Sequence, residues 1–194
     1  MTGQGDYYNS FPLMDVQSFS MTRDGVPFSS GNAGTLWTDY TVASYDTQAV
    51  ENVITYPASW KFFSIMLPHE NAAIMAIRIT SKTGVMQMAK LYRVGQGTQR
   101  NGSHNAVCVW DNVEIEGLGD IWTSPASGIK YDMQYRLKLG PHNQSTITMK
   151  MVRPDQEIHS PDDRWIYEGL GTITGTLNGK NVTGTAFTEL ESVK

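Results

Sequence analysis

The chain has 194 residues, 40% of them hydrophobic and 18% charged, with a formal net charge of -4 at pH 7 and a pI near 5.5. An acidic chain without a Lys/Arg cluster argues against nucleic acid as a partner, and the single cysteine, Cys108, excludes an intramolecular disulfide and a cysteine-based zinc site. No apolar run approaches the roughly 18 residues of a membrane span, and Met1 to Asn9 is polar, so no membrane span and a cytoplasmic location are expected; the Asn-x-Ser/Thr tripeptides at Asn101, Asn143 and Asn181 are read as chance matches.

Taken in order, about ten segments read as strands separated by turn chemistry. The first are Asp15 to Thr22 and Gly34 to Ala43. Trp60 to Leu67 is apolar on both faces, Trp60, Phe62 and Met66 opposing Phe63, Ile65 and Leu67, which implies a core or pocket on one side and a covering segment or partner on the other. Apolar residues such as Phe63 and Ile65, read as exposed, would favour self-association into a homodimer. Ala72 to Thr80, Val85 to Val94, Val107 to Glu116 and Gly119 to Ser124 follow, with Gly95 to Gly97 as a turn.

In Lys130 to Leu139 the alternation is cleanest. Tyr131, Met133, Tyr135, Leu137 and Leu139 share one face, and Lys130, Asp132, Gln134, Arg136 and Lys138 share the other. Ser145 to Val152 is next. The chain closes on two Thr-rich runs joined at Asn178-Gly179, a pair that accepts the positive φ values of a two-residue hairpin turn. Gly175 and Gly184 inside those runs mark bends or close backbone approach.

Many short strands with almost no helix leave the sandwich and the closed barrel. The expected fold is an all-β, lipocalin-like antiparallel barrel. A single domain over 1–194 is expected, with 1–12 as an N-terminal extension. A barrel of eight or so strands is just wide enough for one small ligand, so its interior is the first place to look for function.

Several motifs carry a resemblance: YYNSFPLMDV (Tyr7 to Val16), GTLWTDY (Gly34 to Tyr40), WKFFSIML (Trp60 to Leu67), IWTSPASGIKYDMQYRLKL (Ile121 to Leu139), PDQE (Pro154 to Glu157), and the terminal YEG with TGTAFTELE. In this order they resemble the C-terminal lipocalin-like domain of the carotenoid 1,2-hydratase (hydroxyneurosporene synthase) family, whose relatives include kievitone hydratase and fungal Diels-Alderases. The resemblance implies a barrel with a hydrophobic pocket for terpenoid or polyketide chains. Family members have two lipocalin-like halves with the pocket at or near their junction, and this chain has room for one. Where the hydratases carry a His and a Trp after the Asp of the first motif, this chain has Tyr40 and Val42.

The histidines at 69, 104, 142 and 159 lie in apparent loops with no ligand spacing, so no metal and no cofactor is expected. Cys108, between two valines, reads as a packed thiol. The chemical candidates are polar groups embedded in apolar strands. Asp39 and Tyr40 would hold a proton for transfer if burial raised the acid's pKa, or would serve the neighbouring backbone. Arg78 would pair with such an acid or anchor a substrate carbonyl or carboxylate. Glu168 and Glu189 match family positions and would bridge to Arg78 or Lys90, or act in catalysis. Trp37, Trp60, Phe62, Trp110, Trp122, Tyr131 and Tyr167 would line a ligand cavity or pack the core.

The leading expectation, implied by the resemblance, is a cyclase of the Diels-Alderase type, shaping a hydrophobic polyene of polyketide or terpenoid origin by proximity and one hydrogen bond, chemistry that suits a chain with aromatics and few ionisable groups. The alternatives are a hydratase or dehydratase of an isoprenoid double bond, with Asp39 as proton donor, and a non-catalytic carrier of a hydrophobic small molecule.

Overall fold

The computed structural model describes residues 7–16, 18–30, 34–42, 57–81, 84–93, 106–160 and 164–192. Gly95 to Gly97, Asn101 and His104 lie outside them, as does the side chain of Tyr40. The first strands are β1 (Tyr7–Val16), β2 (Phe19–Arg23), β3 (Val26–Ser30), β4 (Gly34–Val42), β5 (Pro57–Leu67), β6 (Ala72–Ser81), β7 (Gly84–Arg93) and β8 (Ala106–Trp110). They are followed by β9 (Val113–Gly117), β10 (Ile121–Thr123), β11 (Lys130–Asp132), β12 (Gln134–Leu139), β13 (Ser145–Met151), β14 (Glu157–His159), β15 (Trp165–Leu177) and β16 (Lys180–Ser192). Two single-turn 3-10 segments, Pro68–Glu70 and Pro141–Asn143, are the helical elements among the described residues, and none is long and apolar enough to cross a membrane.

One sheet makes the body, in the order β8-β7-β6-β5-β16-β15-β13-β12-β9, with β14 paired to the start of β15. All its pairs are antiparallel. The two edge strands, β8 and β9, are joined in the chain by Asp111 and Asn112, so the sheet curls into a nearly closed lipocalin-like barrel. The expected single strand from Val107 to Glu116 is therefore broken at those two residues, where the chain turns from one edge to the other. The expected Asp15 to Thr22 strand is likewise divided between β1 and β2, and residues 7–12 of the expected extension belong to β1, which pairs with β4.

The long β15-β16 hairpin turns at Asn178 (φ 51°) and Gly179 (φ 78°), both in the left-handed region a tight two-residue turn requires. A Cβ on Gly175 would sit 2.1 Å from the Thr146 carbonyl oxygen, and one on Gly184 2.1 Å from that of Met66. These glycines let neighbouring strands cross closely where the barrel bends.

The lumen is packed. Phe63, Ile65 and Leu67 from β5 meet Leu137, Ile147 and Ile173 from the opposite wall, and Phe63 lies edge-on to Tyr135 at 5.2 Å. Phe63 and Ile65, expected to be exposed, are fully buried: both alternating sets of the strand are apolar, and it is the cross-strand pairing that turns these two inward. The other face of β5 carries Trp60 and Phe62, which join Met75 and Tyr92 in a second apolar cluster outside the barrel. Trp37 of β4 packs against that cluster, edge-on to Tyr92 at 6.2 Å. The two-faced character of Trp60 to Leu67 thus has both its parts, a core on one side and the β1-β4 ribbon covering the other.

Candidate functional site

The side chains singled out in the sequence separate into two groups. Register puts Trp60, Phe62, Glu168 and Glu189 on the outer face of the barrel, because Phe62 pairs with Glu189, Glu189 with Glu168, and Glu191 with Trp60. Trp37 and Asp39 arrive over this face on β4, so five of the residues proposed from sequence, Trp37, Asp39, Trp60, Phe62 and Glu168, gather around Glu189.

At the centre, the Trp60 indole Nε1–H donates to Glu189 Oε1 at 2.6 Å. Burial pushes the Glu189 carboxyl above the ordinary glutamate range; the Trp60 hydrogen bond pulls it back, and the negative charges of Glu168 and Asp39 push it further up. Glu168 sits directly across from Glu189 on the neighbouring strand, and cross-strand carboxylates repel. Arg164 supplies the nearby positive charge. Its guanidinium lies 5.8 Å from the Trp60 ring and 3.4 Å from Glu191. The Trp37 Nε1–H donates to Asp39 Oδ1 at 2.8 Å, which turns that exposed carboxylate along its own strand. The result is a half-buried carboxyl with indole rings beside it, on a floor of Phe62, Met75 and Tyr92.

Arg78 faces the opposite way. It is the cross-strand partner of Lys61, points into the lumen, and its Nη1–H donates to the Ile115 carbonyl at 3.3 Å. It therefore meets neither Asp39 nor the Glu168 and Glu189 pair, whose local cation is Arg164. Trp110 is a lumen residue against Gly140, where a Cβ would lie 3.1 Å from its Nε1.

Trp122, Tyr131 and Tyr167 form an aromatic plug at one end of the barrel. Trp122 stacks on Tyr131 at 5.9 Å, and Tyr131 lies 5.3 Å from Tyr167. The plug is tied down by Glu157, which sequence reasoning missed. Its carboxylate accepts from Ser124 Oγ (2.5 Å), Ser127 Oγ (2.6 Å) and the Tyr131 hydroxyl (2.7 Å). Burial and the bond to Glu157 raise the Tyr131 pKa, so the phenol stays neutral and donates. Tyr167 donates to the Arg153 carbonyl at 2.5 Å and accepts from Gln156. Trp122 also borders a shallow surface depression of about 300 Å³ with Met133, Met151 and Arg153, which shares no residue with the carboxylate cluster.

Cys108 is half-buried, carries a free thiol, and packs against the lumen core. His69 and His142 lie in the 3-10 segments, and His159 is in β14, stacked on Trp165 at 4.2 Å, rather than in a loop.

No family model and no curated protein matches the sequence. Among solved structures, the crystal structure of kievitone hydratase from Nectria haematococca superposes with a TM-score of 0.73 at 17% identity, covering 96% of this chain and 53% of that chain. The chain thus spans about half the length of that protein, and the likeness shows the fold, a lipocalin-like β-barrel shared with a hydratase.

Proposed function

We propose that the face around Glu189 is the catalytic site of a hydro-lyase, which adds water to or removes it from a double bond in a hydrophobic molecule of polyketide or isoprenoid type. The observation that carries this reading is the position of Glu189, a carboxyl held up in pKa by burial, hydrogen-bonded to an indole and faced by further carboxylates. A carboxyl whose pKa is raised above the ordinary glutamate range is the kind of proton donor that protonation of an alkene calls for. In the hydration direction the Glu189 proton goes to one alkene carbon, the π electron pair forming the new C–H bond. The cation left on the adjacent carbon lies against the faces of Trp37 and Trp60, which favour positive charge. Water adds to it, and the surplus proton returns to the Glu189 carboxylate. Glu189 takes the donor role expected of Asp39, because Asp39 is exposed and already accepts from Trp37.

The same protonated acid would also hydrogen-bond a carbonyl and hold a folded polyene, which is the cyclase chemistry the sequence motifs imply. Product mass separates the two. The protein and its Glu189→Gln variant are incubated with prenylated and polyene fractions of organic extract from the native host, and the products are analysed by mass spectrometry. A product differing by one water, made by the wild type and lost in the variant, supports the hydro-lyase. An isomer of unchanged mass supports the cyclase, and a bound molecule recovered unchanged supports a carrier.

A further inference from the structure

Lys61 lies between Trp60 and Phe62 in β5, and its side chain enters the lumen on the face opposite Glu189. Register aligns it with Arg78 on β6 and, beyond that, with Gln87 on β7, so three polar side chains form a row across three adjacent strands inside an otherwise apolar wall. Facing them is Asp132, whose Oδ2 is 4.0 Å from Lys61 Nζ. A Cβ on Gly117 would collide with that carboxylate at 2.2 Å, so glycine there makes room for it. Lys61 Nζ also sits 4.9 Å from the centroid of the Tyr135 ring.

The charges of this cluster do not balance. Two cations stand directly opposite one another on neighbouring strands, an arrangement that is unfavourable alone, and one carboxylate answers them. Among the described residues the Arg78 guanidinium meets a single hydrogen-bond acceptor, the neutral Ile115 carbonyl at 3.3 Å. A guanidinium offers five donors in a fixed fork matched to a planar anion. Beside it, Gln87 Oε1 is buried without a hydrogen-bond partner. The two ends of an amide are interchangeable by rotation, so Gln87 can instead present its NH2 to an acceptor in the same place. The Lys61 and Asp132 side chains, 31% and 27% exposed, put the cluster within reach of solvent.

We propose that this end of the lumen is a binding site for a small carboxylate, held by Arg78 and Lys61 with Gln87 as a third donor. The bound anion would neutralise the excess positive charge and accept from the Gln87 NH2 once the amide is turned toward it. Burial lowers the Lys61 pKa, Asp132 offsets part of this, and the neighbouring Arg78 charge lowers it again, a cost a bound anion would relieve. The site is separate from the Glu189 face, and its test does not depend on the hydro-lyase reading.

The test is calorimetric and NMR titration of the full chain with benzoate, with benzamide as the neutral isostere. Benzoate is expected to bind saturably and benzamide at least tenfold more weakly. Arg78→Gln should weaken benzoate at least tenfold. Asp132→Asn, which removes the competing carboxylate, should tighten it severalfold, a gain that no loss of structure would imitate. Glu189→Gln should leave benzoate affinity unchanged. Absence of saturable binding, equal affinity for benzamide, or unchanged affinity in Asp132→Asn would each overturn the proposal.

Discussion

Replacing Glu157 by alanine removes one carboxylate and strands three hydroxyl donors. Ser124 and Tyr131 are almost fully buried, at 1% and 2% exposure, whereas Ser127 is half-buried and can turn to water. A hydrogen bond to a charged group contributes about 1.5–3 kcal/mol, and a buried donor left unsatisfied costs about 1–3 kcal/mol. Two stranded donors plus the loosened 124–129 loop, whose Ser124 and Ser127 hydroxyls also accept from Ala126, Ser127 and Ile129 backbone N–H groups, come to roughly 3–5 kcal/mol. For a chain of this size that is a fall in Tm of roughly 6–20 °C. Calorimetric melting of Glu157→Ala measures it. Glu157→Gln should lose about half as much, since the amide oxygen still accepts and a serine hydroxyl can accept from its NH2. Trp122, stacked on Tyr131, gives an independent fluorescence reading of whether the plug has opened. A loss under about 1 kcal/mol in Glu157→Ala would refute the idea that these bonds hold the barrel end closed.

Three further outcomes follow from the geometry. Glu189, raised by burial from its usual 4.5, stabilises the fold fully below about that pH and loses the contribution as pH rises through its native value; the Tm of Glu189→Gln relative to wild type should therefore climb between acid and neutral pH. Trp60→Phe keeps an aromatic ring but removes the donor that lowers the Glu189 pKa, so the alkaline limb of the activity profile should move to higher pH. Gly184→Ala places a methyl 2.1 Å from the Met66 carbonyl oxygen and should cost about 1–3 kcal/mol or more in denaturant melts, whereas Gly34→Ala, with open space around it, should cost little of that kind.

Much of the barrel is written in local patterns. Asn178-Gly179 specifies its turn because both residues accept positive φ, and the alternation from Tyr131 to Leu139 survives in the buried set although the strand is interrupted at Met133. The β2-β3 hairpin escapes notice although Asp24-Gly25 is a turn signal, because Pro27 interrupts one strand and both strands are exposed, with no buried face to impose alternation. Faces are less legible than strands. In β5 both alternating sets are apolar, so only the pairing with β16 and β6 shows that Phe63 is inside and Phe62 outside.

The members of the Glu189 cluster are each visible in the sequence, but not their meeting. Trp37, Asp39, Trp60, Phe62, Glu168 and Glu189 stand in stretches far apart along the chain, and it is the pairing of β15 with β16 and of β16 with β5 that sets Glu189 beside Glu168 and Phe62. Glu157 gives a weaker signal, one of several acids in a polar stretch whose hydroxyl partners are 26, 30 and 33 residues away. Lys61 carries no signal of its own in the sequence, because the Asp132 it meets arrives from a strand far along the chain.

The central claim is that Glu189 keeps its proton where an exposed glutamate would have lost it. Carbon-13 NMR titration of glutamate side-chain carboxyls, with the Glu189→Gln spectrum used to assign the signal, measures this without a substrate. The account predicts a midpoint above the ordinary glutamate range. A midpoint at or below that range would contradict it and remove the proton donor on which the hydro-lyase reading stands.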